Sequence, residues 1–170
     1  MTPTFHPRVH SLHVKAKTAG EHGLPKHPVR EATLGAEGFV GDYNNYRQAK
    51  DKGDPGHAVL LMSIELLTTL GKEGWPVAPG DLGENATLEG FAYDTLAVGD
   101  RIALGNEIVI EIAEACDPCR KLSVLPYVGD AKVVEFIKTT LGRRGWYARV
   151  ITGGRVRQDD HVALVPRPPG

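Results

Sequence analysis

The sequence predicts a mainly β protein, with a barrel-like β core and a few peripheral helices. Its 20 glycines and 12 prolines separate short apolar runs, which is typical of many short strands joined by turns. Several runs alternate apolar and polar residues, as a strand with one buried face does. The chain has 170 residues, 41% of them hydrophobic, which is enough apolar material for one core.

The clearest predicted element is a β-hairpin over residues 101–112. Gly105-Asn106 supplies the tight turn, because both residues tolerate positive φ angles. Apolar residues alternate on the strands before and after the turn: Ile102, Leu104, Ile108, Ile110 and Ile112. Further extended runs, each bounded by Gly, Pro or Asp, are predicted at 9–14, 29–34, 57–62, 147–151 and 161–165.

Two helices are predicted between these strands. Ser63 is expected to cap the first helix, which ends at Gly71, and Asp130 is expected to cap the second, which ends at Gly142. The spacing of four apolar residues in the second helix predicts that they share one side: Val133, Val134, Ile137 and Leu141.

Charge and composition predict a protein of the cytoplasm that binds neither nucleic acid nor a membrane. With 20 basic and 21 acidic residues, the chain has no charge excess that favours nucleic acid or an anionic membrane. No apolar stretch suits a signal peptide or a membrane span, and two cysteines are too few for a secreted disulfide scaffold. We therefore expect a single domain over residues 1–165 and a flexible tail over 166–170.

The segment 111–122 is the strongest candidate for chemistry. A well-patterned strand leads into a loop that contains Pro118 and presents Cys119, and loops held by a rigid scaffold commonly display reactive groups. Arg120 and Lys121 follow directly, and their charges favour the thiolate, which is the nucleophilic and metal-binding form of cysteine.

Three interpretations of the cysteines remain open at this stage. Cys116 and Cys119 could be structural, since Cys is often buried as a small hydrophobe. Their C-x-x-C spacing could mark a thioredoxin-like redox pair, but that motif opens a helix in a βαβ unit, whereas a strand precedes it here. A zinc site needs about four ligands, and no second Cys pair or suitable His pair is present. A single thiolate suits a cofactor that brings its own ligands.

Five separated motifs together resemble the MOSC domain, the module named after the C-terminal part of molybdenum-cofactor sulfurase. In order, these motifs are Gly38-Phe39-Val40-Gly41-Asp42-Tyr43-Asn44, Gly80-Asp81-Leu82-Gly83-Glu84-Asn85 with Thr87-Leu88-Glu89-Gly90, Val98-Gly99-Asp100-Arg101 with Ile102-Ala103-Leu104-Gly105, Pro118-Cys119, and Gly145-Trp146-Tyr147-Ala148-Arg149-Val150. The resemblance implies a MOSC-like mixed β-barrel and singles out Cys119 as the family's cysteine. It implies that this sulfur either ligates molybdenum in the pyranopterin cofactor, molybdopterin, or relays sulfur as a persulfide.

The resemblance also implies supporting residues. Asp42, Glu84 and Asn85 are predicted to bind the cofactor on its strength alone, although turn building explains them about as well. Arg120 and Arg149 are predicted to bind it too, since guanidinium donors suit phosphate oxygens. The Arg143-Arg144 pair has the more ordinary interpretation of a solvated basic turn.

The sequence departs from the family pattern at two positions. Asn44 stands where the family often has a histidine, so a proton-transfer role at that position is in doubt, because an amide does not titrate near neutral pH. Cys116 is an additional cysteine that could resolve an oxidised Cys119 or could simply be buried, and burial is the more frequent fate of Cys.

The leading hypothesis is a stand-alone MOSC protein that binds molybdenum cofactor through Cys119. Such a protein would be an oxidoreductase that reduces N-hydroxylated compounds, with a separate electron-donor protein, or a sulfur transferase that handles cofactor sulfur. The alternatives are a metal-free persulfide carrier served by a cysteine desulfurase, and a non-catalytic β-barrel that binds a small molecule.

Overall fold

The structure is a computed structural model that describes residues 6–21, 23–43 and 54–166. Asn44 and residues 167–170 of the predicted tail lie outside the described residues. Within these ranges the strands are β1 (Arg8–Val14), β2 (His27–Val29), β3 (Glu31–Gly35), β4 (Gly38–Phe39), β5 (Val59–Ser63), β6 (Ala86–Glu89), β7 (Arg101–Leu104), β8 (Ile108–Ala115), β9 (Trp146–Thr152), β10 (Gly154–Arg157) and β11 (Val162–Val165). The α-helices are α1 (Ile64–Lys72) and α2 (Gly129–Thr140), and short 3₁₀ turns lie at Pro55–His57, Tyr93–Thr95 and Arg120–Val124.

Eight strands form one strongly curved mixed sheet. Their order is β11-β7-β8-β9-β5-β6-β1-β2, and the β5–β6 pair is parallel whereas its neighbours are antiparallel. The edge strands β11 and β2 do not pair, so the sheet is not a fully closed barrel. The start of β1, the neighbour of edge strand β2, nevertheless contacts the start of β11. The backbone N–H of Val9 donates to Asp160 O at 2.8 Å, and that of Val162 donates to Pro7 O at 3.0 Å. A second sheet has the order β10-β3-β4.

The predicted hairpin and strands are confirmed. β7 pairs with β8 so that Leu104 faces Ile108, and the alternating apolar side chains of both strands are buried. The loop has three residues rather than two, and Gly105 begins it at φ 64°. The predicted 29–34 run is divided between β2 and β3. The mainly β architecture therefore follows from the alternation that the sequence displays.

The helices agree with the predictions less closely. Ser63 caps α1 as expected, since its hydroxyl accepts a hydrogen bond from Leu66 N at 3.2 Å. Asp130 does not cap α2, because Val128 occupies that position and Asp130 lies in the first turn. The predicted apolar side is wrong in part: Val133 is buried, whereas Val134 is 48% exposed and Leu141 is 65% exposed. Among the residues described, no helix is both long and apolar enough to cross a lipid bilayer.

Candidate functional site

Cys119 lies at the end of the loop that follows β8. Its thiol is free and its side chain is exposed, and it directly precedes the 3₁₀ turn Arg120–Val124. The backbone at Cys119 is extended, with φ −141° and ψ 171°, and the carbonyl of Cys119 accepts a hydrogen bond from Leu122 N at 3.1 Å. Leu122 is fully buried, so the turn fixes an accessible thiol to the packed core.

A cavity of about 240 Å³ lies beside this thiol. Since a water molecule takes about 30 Å³ of liquid volume, the cavity has room for a small organic group. Its wall combines apolar side chains, two cysteines and four charged residues. The lining residues are Gly23, Leu24, Leu60, Leu82, Gly83, Glu114, Ala115, Cys116, Asp117, Pro118, Cys119, Lys121, Arg144 and Tyr147. Exposed Cys119, Glu114 and Asp117 form the rim, and buried Leu60, Leu82 and Arg144 form the interior.

Arg144 is the most unusual residue of the cavity. Arg144 is only 5% exposed, and its Nε and Nη1 atoms are buried without a hydrogen-bond partner. A buried guanidinium that lacks partners is costly. Arg144 lies in the loop between α2 and β9, where Gly145 follows it with φ 130°. A Cβ at Gly145 would lie 2.8 Å from Leu61 O, so glycine permits the close approach that places Arg144 in the wall.

Cys116 lies in the same wall but has a different environment. Its residue is 5% exposed, and its backbone N–H donates to Gly145 O at 2.8 Å, which continues the β8–β9 pairing. Burial raises the pKa of the Cys116 thiol, and the charge of Arg144 only partly opposes that shift. Cys116 is therefore a buried, protonated thiol at neutral pH.

The two cysteines are both free thiols, one buried and one exposed. Residues 116–119 form neither a turn nor a helix. The thioredoxin-like interpretation therefore lacks the helical geometry it requires.

Glu114 and His57 form a pair at the edge of the cavity. Glu114 Oε1 contacts His57 Nε2, and the Glu114 side chain is 54% exposed whereas that of His57 is 5% exposed. The His57 ring packs against the Tyr147 ring with 4.2 Å between centroids. Tyr147 faces Glu114 across the β8–β9 pairing, so two strands and a 3₁₀ turn fix the carboxylate.

Three of the predicted cofactor-binding residues lie in a buried polar network behind the wall. Asp42 Oδ2 accepts hydrogen bonds from Lys26 Nζ at 2.5 Å and from Asn85 Nδ2 at 2.9 Å. Asn85 Oδ1 accepts from the backbone N–H of Leu60 at 3.1 Å, and Leu60 lines the cavity. Glu84 is fully buried, its Oε1 accepts a backbone hydrogen bond at 2.7 Å, and burial raises its pKa. Their cofactor role stays a prediction.

The two predicted arginines lie away from the described cavity wall. Arg120 is exposed at the start of its 3₁₀ turn. Arg149 lies on the sheet surface, where its Nη1 donates to Glu111 Oε1 at 2.7 Å. Of the Arg143-Arg144 pair, Arg143 fits the expected basic turn because it pairs with Glu73 at 2.7 Å. Arg144 contradicts that expectation, since it is buried in the cavity wall.

Sequence reasoning missed Glu114 and His57 and ranked Arg144 below Arg149. The sequence contained one useful signal for Arg144, the glycine that follows it, because a glycine at a close backbone approach often adjoins a site. No local pattern links His57 to Glu114, since they are distant in the chain. Within the described ranges no cluster of three or more His, Cys, Asp or Glu could hold a metal ion.

Comparisons with known proteins agree with the resemblance noted above. The model of the MOSC domain family matches residues 48–163. Over 91 residues the chain is 31% identical to a protein named reductase from Gibberella moniliformis, covering 52% of this chain and 15% of that protein. Over 154 residues it is 29% identical to the uncharacterized protein YflK of Bacillus subtilis, covering 86% of this chain and 65% of that protein. The chain therefore spans less than two thirds of the length of either relative.

Solved structures share the fold. The crystal structure of YiiM from Geobacillus stearothermophilus superposes with a TM-score of 0.73 at 24% identity, covering 95% of this chain and 76% of YiiM. The YuaD protein of Bacillus subtilis gives a TM-score of 0.75 at 20% identity, covering 93% of this chain and 94% of YuaD. At these identities the likeness concerns the fold, and it confirms the predicted mixed β architecture.

Proposed function

Because the chain belongs to the MOSC domain family, we propose that it binds molybdenum cofactor through Cys119 and reduces N-hydroxylated compounds or handles cofactor sulfur. The observation that carries this proposal is the pairing of an exposed thiol with a buried, unpartnered guanidinium in one cavity. The relative named reductase supports the reductive version, although it matches over only 15% of its length.

The residues of the cavity fit such a group. A cysteine sulfur is a soft ligand of the kind that a thiophilic metal prefers, and Cys119 presents a free, exposed thiol at the rim. The unpaired Nε and Nη1 of Arg144 suit the phosphate of a pterin cofactor, because guanidinium donors match phosphate oxygens. Cys119 and Arg144 would therefore hold the cofactor, with Lys121 adding a second positive charge.

The bound cofactor would supply two-electron chemistry, while the protein supplies ligation, orientation and electrostatics. Cys119 would anchor one end and Arg144 would neutralise negative charge at the other. Leu60 and Leu82 would exclude water from the interior, which strengthens these electrostatic interactions. Asp42, Glu84 and Asn85 would support the wall from behind, and the electrons would come from a separate donor protein.

The metal-free alternative uses the same thiol. The Cys119 thiolate would attack the persulfide of a cysteine desulfurase, which forms a Cys119 persulfide and releases the donor's thiolate. The exposure of Cys119 favours this role, because the thiol must meet another protein's sulfur. A purely ligand-binding barrel would use the cavity without changing the sulfur.

The test is the molybdenum and pterin content of the protein purified from a host that makes the cofactor. We expect near-stoichiometric molybdenum and pterin in the wild type and in Cys116→Ser, and neither in Cys119→Ser. Cys116→Ser is the matched control, because it removes the other thiol of the same cavity. Mass spectrometry in the same samples detects a persulfide as a gain of about 32 Da that reduction removes.

Each outcome favours one version. Molybdenum lost with Cys119 alone supports the cofactor version, and a reducible sulfur adduct without molybdenum supports the carrier version. A wild type without molybdenum, pterin or sulfur adduct contradicts both, and the ligand-binding version then remains.

A further inference from the structure

The cavity wall carries acidic residues, Glu114 and Asp117, as well as the basic residues Lys121 and Arg144. Glu114 lines the same wall as Arg144 and Cys119, and its side chain is 54% exposed at the rim. Arg144 Nε and Nη1 have no hydrogen-bond partner, so neither atom pairs with this carboxylate. A carboxylate and a guanidinium that share a cavity without neutralising each other present opposite charges to a ligand.

The partner of Glu114 differs from those of other acids on the sheet. Three residues earlier on β8, Glu111 is paired with both Arg101 and Arg149, at 2.9 and 2.7 Å. Glu114 instead pairs with His57, its one ionic contact in the described part of the chain. His57 contacts Glu114 through Oε1, and within the described residues no contact is made by Oε2. Glu114 therefore keeps one carboxylate oxygen available to a ligand, whereas both oxygens of Glu111 are taken by arginines.

The orientation of Glu114 is fixed from the core. His57 is 4% exposed and its ring packs on Tyr147, which also lines the cavity. A side chain held in this way binds a ligand with little loss of conformational entropy, which favours affinity and selectivity. A surface glutamate that served only solubility would need no such support.

We propose that Glu114 is a specificity-determining residue that recognises a cationic, N–H-rich group of the substrate, such as an amidinium, and that His57 is its positioning residue. The inference rests on the proposed function in placing the cofactor in the interior of the Cys119 cavity, which leaves the rim beside Glu114 for the substrate. A planar fork of N–H donors matches the two oxygens of a carboxylate. Anionic substrates are disfavoured at the rim because they meet a like charge.

The test compares three small probes of nearly equal shape on the cofactor-free full-length protein. Benzamidinium is cationic, benzamide is neutral and benzoate is anionic, and NMR titration or calorimetry gives the affinity of each. We expect the wild type to prefer benzamidinium over benzamide by about tenfold or more, which is the scale of a hydrogen bond to a charged group. Glu114→Gln should abolish this preference.

The control is Glu111→Gln, which removes a carboxylate from the same strand outside the described cavity wall and should leave the preference intact. His57→Ala should lower the preference, and His57→Gln should restore part of it, because the glutamine amide can still donate to Glu114. A purely structural role for His57 would change the folding stability and leave the ratio of probe affinities unchanged.

The outcomes separate this inference from the proposed function. An unchanged preference in Glu114→Gln, or no preference in the wild type, overturns the inference whatever the molybdenum content. A preference that depends on Glu114 in a protein that never acquires molybdenum supports the inference while the cofactor proposal fails. Molybdenum and pterin content should be the same in Glu114→Gln as in wild type, since Glu114 is assigned to the substrate.

Discussion

Replacing Arg144 with methionine should make the cofactor-free protein more stable and abolish cofactor binding. Two buried donors of Arg144 lack partners, and each unsatisfied buried polar group costs about 1–3 kcal/mol. The pKa of Lys26 is lowered by its own burial and, to a smaller extent, by the nearby positive charge of Arg144, while the attraction of Asp42 raises it. The charge of Arg144 therefore also destabilises the charged form of Lys26. Methionine keeps much of the side-chain volume without these costs. Replacing buried ion pairs with apolar residues is often neutral or stabilising by about 1–4 kcal/mol. Because Nε and Nη1 of Arg144 have no hydrogen-bond partner that the change would leave unpaired, we expect a gain within that range.

The matched control is Arg143→Met at the adjacent position. Arg143 is 30% exposed in its ion pair with Glu73, and surface pairs contribute about 0–1 kcal/mol, so this change should lower stability slightly. Urea unfolding of both variants, followed by circular dichroism, gives the two free energies of unfolding, and metal analysis gives cofactor content. If Arg144→Met unfolds more easily than wild type by over about 1 kcal/mol, the guanidinium is satisfied in the free protein and the argument for an anion site fails.

Two further predictions concern His13 and the cysteines. Burial lowers the pKa of His13 to about 4 from 6.5, so the unfolded chain binds more protons between these pH values and stability falls as pH decreases through that window. A shift of one pKa unit corresponds to about 1.36 kcal/mol, so between pH 6.5 and 4 the free energy of unfolding of wild type should fall by about 3 kcal/mol relative to that of His13→Gln. Urea unfolding at several pH values measures this difference, and parallel plots of stability against pH for the two proteins would refute the prediction. Iodoacetamide should alkylate exposed Cys119 in the native protein and buried, protonated Cys116 only after unfolding. Mild oxidation of the folded protein should form no Cys116–Cys119 disulfide, because the Cys116 thiol is buried and protonated, and a mass loss of about 2 Da by mass spectrometry would contradict this.

Local patterns predicted the elements whose physical causes are local. The β7–β8 hairpin follows from strict alternation about a turn containing glycine, and the start of α1 follows from the hydroxyl of Ser63, which satisfies a backbone N–H within three residues. The predicted start of α2 at Asp130 is wrong, because the helix begins after Val128 without a side-chain cap and Asp130 lies in its first turn. Tertiary packing also selected Phe136 for the buried side of α2, while Val134 remains exposed.

The sequence by itself predicted the family, from five separated motifs, and the comparison with the MOSC family model confirms it. It also singled out Cys119, because a cysteine with its proline and cationic neighbours is a contiguous signal, and the role of Cys119 stays a prediction. It did not identify the rest of the cavity. Arg143 and Arg144 are indistinguishable as a sequence pair, yet one pairs at the surface with Glu73 and the other is buried. The pairing of β8 with β9 decided this, by bringing the loop of Arg144 against that of Cys116. Burial and missing hydrogen-bond partners depend on residues distant in the chain, so only the tertiary structure could show that Arg144 and Glu114 share a cavity with the thiol.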